Sequence, residues 1–318
     1  MDSRPWVDKY RPESLEDVKG HTDIVCMLKN YGSISKIPHL LFHGPPGTGK
    51  TSTIHAMARS SYKKSFQTMV LEINASDERG VETVLTTIKV FVGTRSFINM
   101  DEVKLVILDE ADALTVSAQS ALRRIIEKNT KNVRFCICCN YIGRISSALQ
   151  SRCTTLRFSG LTKDKLEEKI LEISSIENIN INIKGLKSIV DLSMGDTRRA
   201  INLLQTVGMS TSMSAIHSAE IGSREVYMCS GCPTPEDIES IKDVLIGGSF
   251  SFAFHFISNI IVSKGYSLTE VITNLSRIIQ VEDELSIIIA DEFSNIEYRI
   301  CKGGSDRMNI GALVSSFH

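Results

Sequence analysis

The sequence predicts an α/β domain built on a parallel sheet with helices on both faces, followed by two smaller all-helical units. Three observations predict it. Short apolar runs alternate with helix-periodic stretches from 38 to 158, the pattern of strand–helix–strand crossovers. A glycine-rich segment, Gly44-Pro45-Pro46-Gly47-Thr48-Gly49-Lys50-Thr51, stands between the first such run and the first such helix. After Gly160 strand signals fade and amphipathic helical ones dominate.

In chain order, residues 4–12 (Arg4-Pro5-Trp6-Val7-Asp8-Lys9-Tyr10-Arg11-Pro12) mix aromatic, basic and proline side chains. Two prolines argue for an extended arm rather than a helix. Such an arm either packs on the surface or closes one side of a purine pocket. Residues 39–43 form a short apolar run suited to a buried strand. The loop that follows fits G-x-x-x-x-G-K-[ST], the phosphate-binding loop of nucleoside triphosphatases. Its glycines let successive N–H groups turn toward the β- and γ-phosphates, and the helix opening near Gly49 adds its positive end. Lys50 is placed to bridge those phosphates, and Thr51 to offer its hydroxyl to Mg²⁺. The helix, 52–62, carries Ile54, Met57, Ala58 and Ser61 on one face.

Further strands are expected at 69–73, 105–108, 135–139 and 155–158, making a five-stranded sheet, with helices around 81–92, 117–128 and 146–149. Ligands of such sheets bind at the carboxyl ends of the strands, and several polar residues fall there. The run Leu105-Val106-Ile107-Leu108 ends in Asp109-Glu110-Ala111-Asp112. Asp109 is suited to hold a Mg²⁺-bound water, and Glu110 to orient and deprotonate the attacking water. Asn140 ends the fourth strand, where its amide either meets the γ-phosphate or the water, or simply forms a turn. Asn74 ends the second strand and reaches Glu110 if those strands are neighbours.

Past Gly160, Thr162 is a plausible N-cap for a helix over 163–174 with Leu166, Ile170 and Ile173 inward. A second helix covers 183–193. Gly195-Asp196-Thr197-Arg198-Arg199-Ala200 opens a third, ending near Val207. Residues 208–235 are the least patterned. Helices return at 236–246, 252–263, 268–279 and 282–299. The expected division is 1–160, 161–230 and 231–318.

Composition narrows the function classes. The chain has 318 residues, 42% apolar, with 36 basic against 37 acidic residues, so total charge points to no partner and any nucleic-acid surface must be local. Its apolar runs are shorter than the roughly 18 residues of a membrane span, and the first residues lack the apolar core of a signal peptide; no membrane partner is expected. Eight cysteines are present, three of them crowded into one strand as Cys136, Cys138 and Cys139, which suits buried thiols in a reducing compartment. Cys229 and Cys232 form a single C-x₂-C, and a structural zinc needs four ligands.

These residues resemble the AAA+ clamp loaders, and within them the small subunits of eukaryotic replication factor C. The arm Trp6-Val7-Asp8-Lys9-Tyr10-Arg11-Pro12 looks like that family's adenine-side motif, and Asn74-Ala75-Ser76-Asp77-Glu78-Arg79-Gly80 like its second-strand motif. Asp109-Glu110-Ala111-Asp112 looks like its acid box, Ser151-Arg152-Cys153 its arginine-finger motif, and Gly195-Asp196-Thr197-Arg198 its second sensor. The stretches 135–141 and 226–231 look most like the branch numbered 3 in budding yeast and 5 in humans.

The resemblance implies a P-loop AAA+ domain, a helical lid and an all-α collar. It implies that five subunits form a hetero-pentamer, this chain and four other replication factor C subunits, which uses ATP and Mg²⁺ to open the sliding clamp PCNA and load it on primer–template DNA in the nucleus. Carried over by position, Val7, Arg11 and Lys19 fall on the adenine side and Gly44 to Ser52 on the phosphates. Asn140 falls on the first sensor and Arg198 on the second. Arg152 falls on the finger reaching a neighbour's γ-phosphate, and Arg79 with Gly80 on DNA phosphates. Two positions depart from the pattern: Lys19 stands where an apolar residue is usual, and Leu85 where the family often has a DNA-contacting arginine. The alternatives are a non-catalytic subunit that fills a ring place, and another AAA+ DNA motor. Intact Lys50, Thr51, Asp109, Glu110 and Arg152 argue against the first. The absence of a basic recognition helix in 234–318 argues against an initiator.

Overall fold

The computed structural model describes residues 4–76, 81–94, 103–213, 220–279 and 284–317. Packing divides the chain into two compact units, Met1–Ile181 with Ile189–Met209 and Asn182–Ser188 with Ser210–His318.

The first unit opens with α1 (Trp6–Lys9) and α2 (Thr22–Tyr31), then β1 (Leu40–His43), α3 (Lys50–Tyr62) and α4 (Phe66–Met69). It continues through β2 (Val70–Asn74), α5 (Val81–Gly93), β3 (Lys104–Asp109), α6 (Val116–Asn129), β4 (Val133–Cys139), α7 (Ser147–Gln150) and β5 (Thr154–Arg157). Helices α8 (Lys163–Ile176), α9 (Ile183–Ser193) and α10 (Thr197–Met213) follow, α9 and α10 each spanning the division between units. All strand pairs are parallel, in the order β2-β3-β4-β1-β5. The five expected strands are present, each within two residues of its expected bounds.

Side-chain alternation divides the sheet between two cores. Leu40 and Phe42 of β1, Leu105 and Ile107 of β3, and Cys136 and Cys138 of β4 pack with Leu28 of α2 and Ile54 and Met57 of α3. Leu41, Val106, Leu108, Ile137 and Cys139 face the other way, onto Val84 and Ile88 of α5 and Leu122 and Ile126 of α6. Burial on both faces explains why these strands read as unbroken apolar runs. The strand order sets β3, β4 and β1 side by side, so the chain segments leaving their carboxyl ends share one edge.

The second unit holds α11 (Ser223–Ser230), α12 (Pro235–Gly247), α13 (Phe250–Lys264), α14 (Leu268–Ile278), α15 (Glu284–Cys301) and α16 (Asp306–Ser315). Ile241, Leu245, Ile257, Val271, Ile296 and Leu313 meet in one core. Thr234 caps α12 by accepting from Asp237 N–H, with Pro235 in the first turn.

Several expectations are corrected. The arm is not extended: Trp6–Lys9 is one helical turn. Pro5 precedes that turn and Pro12 follows it, so the prolines bracket the helix instead of breaking it. Helix α10 runs past Val207 to Met213, with Gly208 inside it, where a Cβ would stand 2.5 Å from Ile179 Cδ1. The unpatterned stretch contains α11, whose first turn is fastened by Gly222 N–H donating to Glu225 Oε2 at 3.0 Å. Helices α2 and α16 are additional, the latter burying Ile310, Leu313 and Val314 at helical spacing. The expected start of a helix at Glu282 lies outside the described residues; α15 is described from Glu284.

Candidate nucleotide site

At the carboxyl edge of the sheet a cleft of ≈ 240 Å³ opens between the arm, the phosphate loop, the ends of β3 and β4, and helices α8 and α10. All of its walls belong to the first unit.

Sequence chemistry shapes the phosphate loop. Gly44 adopts φ +145°, and a Cβ there would come 1.9 Å from the Phe158 carbonyl oxygen, so only glycine passes beside the chain leaving β5. Gly47, at φ +67°, packs against the Asp196 carboxylate, which a Cβ would meet at 1.7 Å. Asp196 also accepts from Arg198 N–H at 2.8 Å and Arg199 N–H at 3.1 Å, capping α10. Thr197 N–H donates to the Gly47 carbonyl at 3.3 Å. The start of α10, and with it Arg198, is thereby docked on the loop.

Lys50 is 7% exposed. Its ammonium donates to the Gly44 and Pro45 carbonyls, each at 2.8 Å, and to Asn140 Oδ1 at 3.0 Å. Burial holds its pKa below the ordinary lysine value, with the Asp109 and Asp112 carboxylates among the charges opposing the shift. Thr51 Oγ1 donates to Asp109 Oδ2 at 2.7 Å. A hydroxyl and a carboxylate so close are hard oxygen donors within reach of one small cation, the set that suits Mg²⁺. Asp109 Oδ1 accepts from Glu110 N–H at 2.9 Å. Glu110 is exposed and left-handed, at φ +51°. A non-glycine residue in that region costs on the order of 1–3 kcal/mol, and such strain clusters at working sites.

Of the residues singled out by sequence, Val7, Arg11, Lys19, Pro46, Gly47, Thr48, Gly49, Lys50, Thr51, Ser52, Asp109, Glu110, Asn140 and Arg198 line this cleft. Gly44 and Pro45 contribute carbonyls to Lys50 instead. Lys19 pairs with Glu172 of α8 at 3.0 Å. Asn74 is on the strand beside β3, opposite Asp109 in register. Its Oδ1 accepts from Ser76 N–H (2.9 Å) and Ser76 Oγ (2.8 Å), a local turn in place of the expected bond to Glu110. Arg152 stands apart from the cleft lining, after α7; its guanidinium donates to the Ala148 carbonyl at 2.8 Å and pairs with Glu127 of α6. Leu85 packs against the α5–α6 core. Arg79 and Gly80 lie outside the described residues.

Sequence reasoning missed Leu161, Lys169 and Ile201, which also line the cleft. They come from α8, α10 and the segment before α8, and no local motif marks them. Ile201 lies about one helical turn past Arg198; Leu161 and Lys169 carry no such signal.

Comparison with known proteins places this geometry. Residues 40–161 match the model of the ATPase family associated with various cellular activities (AAA), and residues 233–316 the replication factor C C-terminal domain. The chain is 43% identical to probable replication factor C subunit 5 of Dictyostelium discoideum, covering 100% of this chain and 91% of the relative. It is 40% identical to replication factor C subunit 5 of Homo sapiens (98% of this chain, 91% of the relative) and 39% to subunit 3 of Saccharomyces cerevisiae (98% and 94%). Among solved structures it is similar to the Thermotoga maritima RuvB Holliday junction branch migration motor, with TM-score 0.56 at 20% identity over 82% of this chain and 88% of that one; that likeness concerns the fold alone. With relatives of this kind aligned along nearly its whole length, the protein belongs to the replication factor C subunits, of the AAA ATPase clamp-loader family.

Proposed function

We propose that this chain is an ATP-binding and ATP-hydrolysing subunit of a replication factor C clamp loader. In this reading it joins four other replication factor C subunits in the nucleus, opens the sliding clamp PCNA and leaves it on primer–template DNA. The observation that carries the reading is the convergence of Lys50, Thr51, Asp109 and Asn140 at the edge where β3, β4 and β1 end. The Lys50 ammonium, held by three oxygens, stands where the β- and γ-phosphates of ATP would lie. Thr51 and Asp109 would hold Mg²⁺, directly or through water, and the ion would supply charge neutralisation to the phosphates.

The remaining roles follow from position. Val7, Arg11 and the Lys19 segment wall the adenine end, and Arg198 approaches the phosphates from α10. Glu110 takes a proton from the attacking water, and Asn140 orients that water or the γ-phosphate. Arg152, held away from its own cleft, serves the adjacent subunit's nucleotide. Arg79 and Gly80 are assigned to DNA phosphates on sequence alone. The functional division assigned on sequence is 1–160 for the nucleotide-binding domain, 161–230 for the lid and 231–318 for the collar.

Co-purification from native extract tests the assembly. The four other subunits should accompany this chain, and PCNA should be retained with a non-hydrolysable ATP analogue. Recovery of the chain alone, or with a different ring of ATPases, would sink the reading.

A further inference from the structure

We propose that Glu177 is a positioning residue that latches the N-terminal arm over the nucleoside end of the cleft, joining it to the helices that carry Lys169 and Arg198. The inference rests on the reading of the cleft as an ATP site. Val7, Asp8, Tyr10 and Arg11 line the cleft, and Lys9 and the Tyr10 hydroxyl converge on one carboxylate oxygen. Lys9 Nζ donates to Glu177 Oε1 at 2.6 Å and the Tyr10 hydroxyl to the same atom at 2.5 Å. A second attachment reaches α10: Trp6 N–H donates to Gln205 Oε1 at 3.1 Å. There the indole lies 3.7 Å from where a Cβ on Gly208 would stand.

Glu177 is a poor residue for the helix that bears it. It sits at the C-cap of α8, where the helix dipole disfavours an anion, so α8 gains nothing from its charge. The gain is at the arm. The Lys9 and Tyr10 hydrogen bonds hold the Glu177 carboxyl below its ordinary pKa, so it stays an anion across the neutral range. Two donors on one oxygen fix the rotation of the arm's single turn, and that rotation decides whether Val7 and Arg11 face the cleft. A pre-formed wall spares ATP the cost of ordering it.

Trp6 is the only tryptophan in the chain, so its emission reports the arm directly. The experiment uses the full chain with Glu177→Gln and, as the milder variant, Tyr10→Phe, which removes one hydroxyl. Acrylamide quenching of Trp6 is measured without nucleotide, and ATP affinity by calorimetry. Glu177→Gln should raise the quenching constant about twofold and weaken ATP about fivefold, with Tyr10→Phe moving both in the same direction by less. Unchanged quenching in both variants, or a loosened Trp6 with unchanged ATP affinity, overturns the proposal. If Glu177→Gln loses its helical circular dichroism, Tyr10→Phe decides. A wild-type chain that binds no ATP defeats the nucleotide reading instead, while the quenching still reports whether Glu177 holds the arm.

Discussion

Acid should loosen the strand that carries the phosphate loop, through one histidine. His39 enters β1 and is 7% exposed. Its Nδ1 accepts from Phe135 N–H at 3.2 Å, so that nitrogen is unprotonated, and Nε2 lies 3.4 Å from Thr130 Oγ1. Its carbonyl accepts from Thr154 N–H at 2.7 Å. The residue therefore joins β1 to β4 and β5. Burial, then the nearby Arg134 charge, pulls the imidazole from 6.5 to about 4. Because the folded pKa is depressed, the unfolded chain binds the proton more readily. The stabilisation is complete above the unfolded pKa and is lost as pH falls from about 6.5 toward 4. With 1.36 kcal/mol per pKa unit, the full shift amounts to about 3 kcal/mol, of which about 2 kcal/mol is gone at pH 5. Urea unfolding at pH 8 and pH 5, compared between wild type and His39→Gln, isolates this contribution from the other titrating groups. Wild type should lose about 2 kcal/mol more than the variant over that interval. Equal losses in the two proteins, or an NMR titration of His39 near 6.5, would refute the reasoning.

The nucleotide site supports three further expectations. Lys50→Ala removes the ammonium that three oxygens now hold. It should weaken ATP about ten- to a hundredfold by calorimetry, and undiminished affinity would exclude Lys50 from the phosphates. Glu110→Gln keeps the side chain's shape but cannot accept a proton. In an assembled complex whose other acid boxes are silenced, turnover should fall about 10²–10⁴-fold while ATP binding persists; full turnover would remove Glu110 from the base role. Arg152→Ala should slow the adjacent subunit's hydrolysis by about 10³–10⁵ and leave ATP binding in this chain's own cleft nearly intact. A purified monomer hydrolysing ATP at the rate of the whole complex would contradict that assignment.

Much of this protein is written in short-range chemistry. The phosphate loop is legible because its demands are local: glycines where φ must be positive or a neighbour's backbone passes close, a lysine, and a threonine opening the helix. The strands are legible because burial on both faces leaves uninterrupted apolar runs, and the acids after β3 stand out against such a run. The same locality misled in places. Two prolines read as an extended arm, yet they bracket a turn whose conformation depends on Glu177 and Gln205, about 170 and 200 residues away in sequence. Gly208 reads as a helix end, whereas it lies inside α10, packed beside Ile179. Asn74 stands opposite Asp109 in register, but its oxygen is taken by Ser76, two residues on.

By itself the sequence determined the class of the fold, the loop that binds phosphate and the residue types set at strand ends, since periodicity, glycine torsion and motif spacing involve only neighbours along the chain. The tertiary structure alone decided which strand ends meet. The order β2-β3-β4-β1-β5 brings Asp109 to Thr51 and Asn140 to Lys50. It alone turned Lys169 and Ile201 into cleft walls and parked Arg152 on Glu127. Those contacts join residues tens to hundreds of positions apart, and they are selected by the packing of the two faces of the sheet, which no local pattern encodes.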